Sequence, residues 1–187
     1  LKKLKYLNLA NTDLKAIDEG VFSDLEELVE LDLSDSDIQH INENAFQGLK
    51  ALKSLFLGAN KLSQLEAKTF NPLVSLESIS LELNHLVEID DNLFAMTTKL
   101  ADIWLNGNKI IVMNWQVIEN IKSLGYIDVQ NNPCVDGVYY TSNINDLKTI
   151  LNEKCSKTIV EEVTEHIAVS RVKGEYRLDG SLDDGSF

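Results

Sequence analysis

The chain has 187 residues, 44% hydrophobic and 25% charged, with only 9 Gly and 2 Pro, which suits one domain of about 150 residues and excludes collagen-like, low-complexity and wholly disordered chains. Lys and Arg total 17 against 30 Asp and Glu, a formal charge of -13, and so acidic a surface repels phosphate backbones and anionic headgroups, so no nucleic acid is expected as a partner. No apolar run reaches the roughly 18 residues needed to cross a bilayer, so no direct membrane insertion is expected of this segment.

From Leu4, the residues LKYLNLANTDLKAI place apolar side chains at positions 1, 4, 6, 11 and 14, followed by Phe22 and Leu25. The template recurs with a 24-residue period at Leu28 (then Phe46 and Leu49), Leu52 (Phe70 and Leu73) and Leu76 (Phe94). A fifth copy starts at Leu100, with Ile118 and Ile121 in the later places, and a sixth from Leu124 stops at Pro133 and Cys134. The L-x-L alternation has strand periodicity, yet so short a strand has nothing to pair with except its own copy next door. Stacking therefore lays six strands about 4.8 Å apart as a parallel sheet, and the second half of each copy returns along the outer face to make a curved solenoid.

The pattern resembles the 24-residue extracellular type of leucine-rich repeat, L-x-x-L-x-L-x-x-N-x-L-x-x-I-x-x-x-x-F-x-x-L, over about residues 1–132. The resemblance implies an α/β solenoid: a horseshoe with a parallel β-sheet on its concave face, an irregular or 3-10 convex face and a C-terminal helical cap. Asn60, Asn84, Asn108 and Asn132 fit the family's asparagine at position 9, which bonds backbone groups that the turn after the strand would otherwise bury unpaired. Thr12 and Ser36 stand there in the first two copies, and a hydroxyl satisfies fewer groups than a carboxamide, so a looser ladder is expected. Phe22, Phe46, Phe70 and Phe94 predict a continuous column under the outer face, closed by Ile118, while Thr97 in place of leucine and the bulk of Trp115 predict repacking nearby.

Leu1 falls three residues before Leu4, where the last leucine of a preceding copy would stand, so about five and a half copies of a longer, N-terminally incomplete array are expected. At the other end, residues 132–155 hold the only two cysteines, Cys134 and Cys155. The DLKTIL stretch reads as a short helix with Asn145 or Asp146 near its cap. Leu147, Ile150 and Leu151 are expected over the end of the sixth strand, with Val135, Tyr139 and Tyr140 nearby. A Cys134–Cys155 disulfide would close a loop of about 20 residues, contribute on the order of 3 kcal/mol, and imply an oxidising compartment; two free, buried thiols are the alternative. The pattern N-P-C-V-D-x-x-Y-Y, then a helix and a single Cys, resembles the abbreviated C-terminal caps of secreted arthropod repeat proteins, mosquito immune ones among them. That resemblance implies an extracellular location, as a secreted protein or receptor ectodomain, and a place in innate defence.

Three segments are expected: repeats over 1–132, a disulfide-closed cap over 133–155, and a tail or docking arm over 156–187. In the tail, Ile159, Val163 and Ile167 suit one helical face, while its Val, Ile and Thr equally permit a strand.

Nothing points to a reaction centre. His40, His85 and His166 have no metal or triad spacing. Asp179, Ser181 and Asp183 echo a calcium loop, but Asp184 stands where Gly is required. No nucleophile elbow, phosphate-cradling glycine loop or HExxH occurs, so no enzyme, catalytic residue, metal or cofactor is expected. With strand positions 4 and 6 pointing inward, positions 3, 5 and 7 face the concave surface. The candidate contacts there are Tyr6, Glu30, Asp32, Phe56, Ser80, Glu82, Asp102, Trp104, Tyr126 and Asp128. None of these positions is basic, which favours a protein partner with a basic surface. Phe56 and Trp104, two strands apart with Ser80 between, outline a notch roughly 10 Å across. These features suit a protein-recognition module; a structural or adhesion component of a matrix or larger assembly is the alternative.

Overall fold

The computed structural model describes residues 1–119 and 121–157. In chain order its elements are β1 (Tyr6–Asn8), β2 (Ala16–Ile17), β3 (Glu30–Asp32), β4 (His40–Ile41), β5 (Ser54–Phe56), β6 (Ser78–Ser80), β7 (Glu88–Ile89), β8 (Asp102–Trp104), β9 (Val112–Met113), α1 (Gln116–Glu119), β10 (Tyr126–Asp128), β11 (Val138–Tyr140) and α2 (Ile144–Ile150). A 3-10 turn, Thr141–Asn143, precedes α2, and a wider helical turn, Leu151–Cys155, follows it.

The L-x-L stretches stack as expected. One seven-stranded sheet runs β1-β3-β5-β6-β8-β10-β11. Its register carries Tyr6 onto Glu30, then Ser54, Ser78, Asp102 and Tyr126, so equivalent positions of successive turns lie in line. The first six strands are parallel, and the seventh, β11, lies outside the repeat and pairs antiparallel with β10. The return path is not wholly irregular, because β2 pairs with β4 and β7 with β9. Elsewhere it closes by three-residue turns, such as Leu73 N–H onto the Phe70 carbonyl at 3.0 Å.

The phenylalanine column is present. Successive ring centroids from Phe22 through Phe46 and Phe70 to Phe94 are 6.2, 6.0 and 5.9 Å apart, and burying each ring contributes roughly 1.5–3 kcal/mol. Ile118, on α1, is buried in the corresponding place of the next turn. Thr97 is fully buried, and its hydroxyl bonds the Phe94 carbonyl at 3.0 Å, which satisfies the polar group that replaces leucine's methyls. Trp115 packs against the core, with the Lys148 ammonium 5.2 Å from its ring centroid.

The position-9 asparagines suture adjacent turns. Asn84 donates to the carbonyls of Leu57, Leu81 and Glu82 and accepts the Leu62 N–H, at 2.9 to 3.2 Å. Asn60 accepts two N–H groups, from Ser36 and Ile38, and donates to three carbonyls. The first two turns are closed more weakly, since the Thr12 N–H reaches only the Ser36 hydroxyl, at 3.3 Å.

At the C-terminal end Val135, Tyr139, Leu147, Leu151 and Cys155 are buried in the same core as the repeats, and Cys134 is disulfide-bonded to Cys155 with Cα atoms 5.3 Å apart. The helix start differs from the expectation at Asn145 or Asp146. The cap is Asn143, whose Oδ1 accepts the Tyr140 N–H at 2.7 Å instead of a helical one. The chain leaves β11 through a tight turn that runs directly into α2, and the side chain at the junction satisfies the strand end. The readings for Ile159, Val163, Ile167, His166 and the Asp179–Asp183 stretch lie outside the described residues.

Candidate functional site

Each inner strand buries its central residue and presents the two flanking ones, so Leu31, Leu55 and Ile103 are fully buried while their neighbours are half-exposed. The surface so formed has three regions. On the first strands Tyr6 is 65% exposed and Glu30 half-buried. Asp32 is held in place, accepting from Asn8 Nδ2 at 3.0 Å, from the Ser34 N–H at 3.0 Å and from the Ser34 hydroxyl at 2.6 Å.

In the middle, Phe56, Ser80 and Trp104 stand side by side in register, as the notch requires. Ser80 is nearly buried and donates its hydroxyl to Glu82 Oε2 at 2.5 Å. The Glu82 carboxylate lies across Gly58, where any Cβ would collide with it. Glycine at 58 therefore leaves room for the Glu82 carboxylate.

The third region is a block of β8, β10 and β11. Asp102 pairs with Tyr126 and Trp104 with Asp128, so aromatic and carboxylate side chains alternate on the two diagonals of a square. The Trp104 and Tyr126 ring centroids are 5.5 Å apart, tilted by 47°. Tyr126 in turn meets Tyr140 edge-on at 5.5 Å. Asp128 is 8% exposed and accepts the Gln130 N–H at 3.0 Å. Burial first, and then the Asp128 charge, hold the Tyr126 phenol above the ordinary tyrosine range.

Two of the expected contacts, Ser80 and Asp128, thus lie under their neighbours and shape or charge the surface more than they present it. Tyr140, 53% exposed, joins the block although the sequence placed it only near the C-terminal cap. The signal for it was the Tyr139–Tyr140 pair after Cys134, of which a strand must turn one inward and one outward.

Among the described residues the ion pairs lie off this surface: Lys15 with Asp13 and Asp37, Lys61 with Asp37, Lys53 with Glu77, and Lys157 with Glu88. The Lys61 ammonium leads in holding the Asp37 carboxyl below its usual range, and Asp13 leads in raising Lys15. No group of three or more His, Cys, Asp or Glu could hold a metal ion among the described residues. His40 and His85 are exposed on separate turns. No described helix is long and apolar enough to cross a membrane.

The family profile described as "Leucine rich repeat" matches residues 1–38, 26–86 and 75–133. Among solved structures, the chain resembles TLR13 in its complex with ssRNA13 at 28% identity and a TM-score of 0.68, covering 71% of this chain and 19% of that one. It resembles Toll in the Toll–Spatzle complex, described as a hub in Drosophila development and innate immunity, at 27% identity and a TM-score of 0.66, covering 70% and 18%. The leucine-rich repeat domain of APL1B matches at 28% identity and a TM-score of 0.65, covering 70% and 39%. The chain therefore spans well under half the length of each of these structures. No curated protein is significantly similar to it. With the profile extending over residues 1 to 133, the chain belongs to the leucine-rich repeat family.

Proposed function

We propose that the chain is an extracellular recognition module that binds a protein partner with a basic surface across its concave sheet, in the setting of innate defence. One observation carries this reading. The concave positions carry Phe56, Trp104 and Tyr126 together with Glu30, Asp32, Glu82 and Asp102, with the nearly buried Asp128 beneath, and no basic residue. Aromatic anchors supply contact area, and a field of one sign steers and selects a partner of the other. The Toll–Spatzle complex supports a protein ligand, and the disulfide supports an oxidising compartment. The TLR13 structure contains ssRNA13, but five carboxylates on the concave face disfavour a phosphate backbone here. In this reading residues 1–132 are the binding array, 133–155 close its end, and 156–187 form a tail or docking arm.

The test uses the chain as bait in its source fluid, beside a Phe56→Ala/Trp104→Ala variant. Native bait is expected to retain a protein in a discrete complex that the variant loses, with the thermal midpoint nearly unchanged. Equal retention by both baits contradicts the concave assignment.

A further inference from the structure

We infer that the block formed by Trp104, Tyr126, Tyr140 and Asp102 is a seat for an arginine side chain of the partner; the inference rests on the concave face being the recognition surface and names the chemistry it selects. The argument starts from register. Asp102 stands directly opposite Tyr126, and Trp104 opposite Asp128, on strands about 4.8 Å apart. A planar cation laid on Tyr126 therefore has the Asp102 carboxylate one strand spacing away on one side, with Tyr140 one strand away on the other. The two carboxylates differ. Asp128 is nearly buried and already accepts a backbone N–H, whereas the half-exposed Asp102 bonds through its backbone N–H to the Glu77 carbonyl and its carboxylate takes part in no hydrogen bond or ion pair with the other described residues. Asp102 is the acceptor left open, and Asp128 adds charge from beneath.

Ring packing chooses among cations. Centroid separations of 5.5 Å on both sides of Tyr126 are contact distances, so Tyr126 touches both of its neighbours. The available surface runs from Trp104 over Tyr126 to Tyr140, and on it a flat guanidinium stacks while its forked N–H groups reach sideways to a carboxylate. A lysine ammonium, compact and strongly hydrated, gains less from the same surface. Tyr140 belongs to β11, and β11 lies between Cys134 and the helices that end at Cys155. The seat is thus completed by the disulfide-closed segment and is not a property of the repeats alone.

The test is calorimetric titration of the whole chain with acetylated hexa-arginine and hexa-lysine peptides at matched physiological salt. Hexa-arginine is expected to bind roughly tenfold more tightly than hexa-lysine. Trp104→Ala, Tyr140→Ala and Asp102→Asn are each expected to erase most of that preference, while Glu43→Gln, at an exposed carboxylate on the return path, leaves the ratio intact. Tyr140 is more than half exposed, so its variant keeps the question answerable if Trp104→Ala unfolds. Equal binding of the two peptides to the native chain overturns the inference and leaves only diffuse electrostatics, and displacement of hexa-arginine by millimolar tetramethylammonium also overturns it. If hexa-arginine fails to discriminate while partner capture still requires Phe56 and Trp104, the arginine seat falls and the concave reading stands.

Discussion

The first two turns of the solenoid and the last four close the same backbone corner with different chemistry. In the first two, Thr12 gives its one hydroxyl proton to the Leu9 carbonyl, and the Ser36 hydroxyl lies between the Leu9 and Ser34 carbonyls. From the third turn onward an asparagine serves its own turn and the one before, as Asn108 does with the Leu105 and Leu81 carbonyls and the Leu86 N–H. The concave surface divides along similar lines. Asp32 on β3 is occupied by Asn8 and Ser34, whereas in the β8–β10–β11 block the Asp102 carboxylate, beside Trp104 and Tyr126, bonds none of the other described residues. Positions that repeat without change hold the frame, and the freedom at strand positions 3 and 5 is spent where the frame is most firmly tied.

Removing the tie at the C-terminal end tests this most severely. Cys134→Ser with Cys155→Ser is expected to lower stability by about 3 kcal/mol in denaturant unfolding, and to weaken hexa-arginine binding as Tyr140 loses its fixed place. A variant that loses stability but keeps full arginine selectivity would separate the seat from β11. Next in size is the rung comparison. Asn84→Ala strips three carbonyls and one N–H of a buried partner and is expected to cost roughly 2 kcal/mol or more, against less than about 1 kcal/mol for Thr12→Ala. Equal losses would erase the distinction between the two ends.

The smallest effect is in alkali. Burial leads in raising both Tyr126 and Tyr139 above the ordinary tyrosine value of 10.0. The folded chain therefore favours the neutral phenols. Their contribution is complete below pH 10 and is lost as pH rises through the raised folded values. Unfolding midpoints measured across that range are expected to fall, with a shallower fall for Tyr139→Phe; an unchanged slope would place the effect elsewhere.

Most of the frame was legible in the residues because a strand as short as Leu-x-Leu has only its own copy to pair with, so period dictates register. The asparagine rungs and the phenylalanine column followed from the same spacing. What escaped was whatever depended on chain outside the period. Tyr140 reaches the concave face because the chain reverses after Cys134 and adds an antiparallel strand, which no repeat announces. The Asn143 cap depends on how that strand ends. The burial of Ser80 and Asp128 reflects the side chains around them, such as that of Glu82 two residues beyond Ser80, and alternation alone assigns a face without assigning depth.

Amide hydrogen exchange, followed along the whole chain with and without saturating hexa-arginine, addresses the account at its centre. Added protection is predicted in residues 102–104, 126–128 and 138–140, with little change in 6–8 or on the return path around 40–41. Protection concentrated on the outer return path, or spread evenly over all the strands, would contradict it.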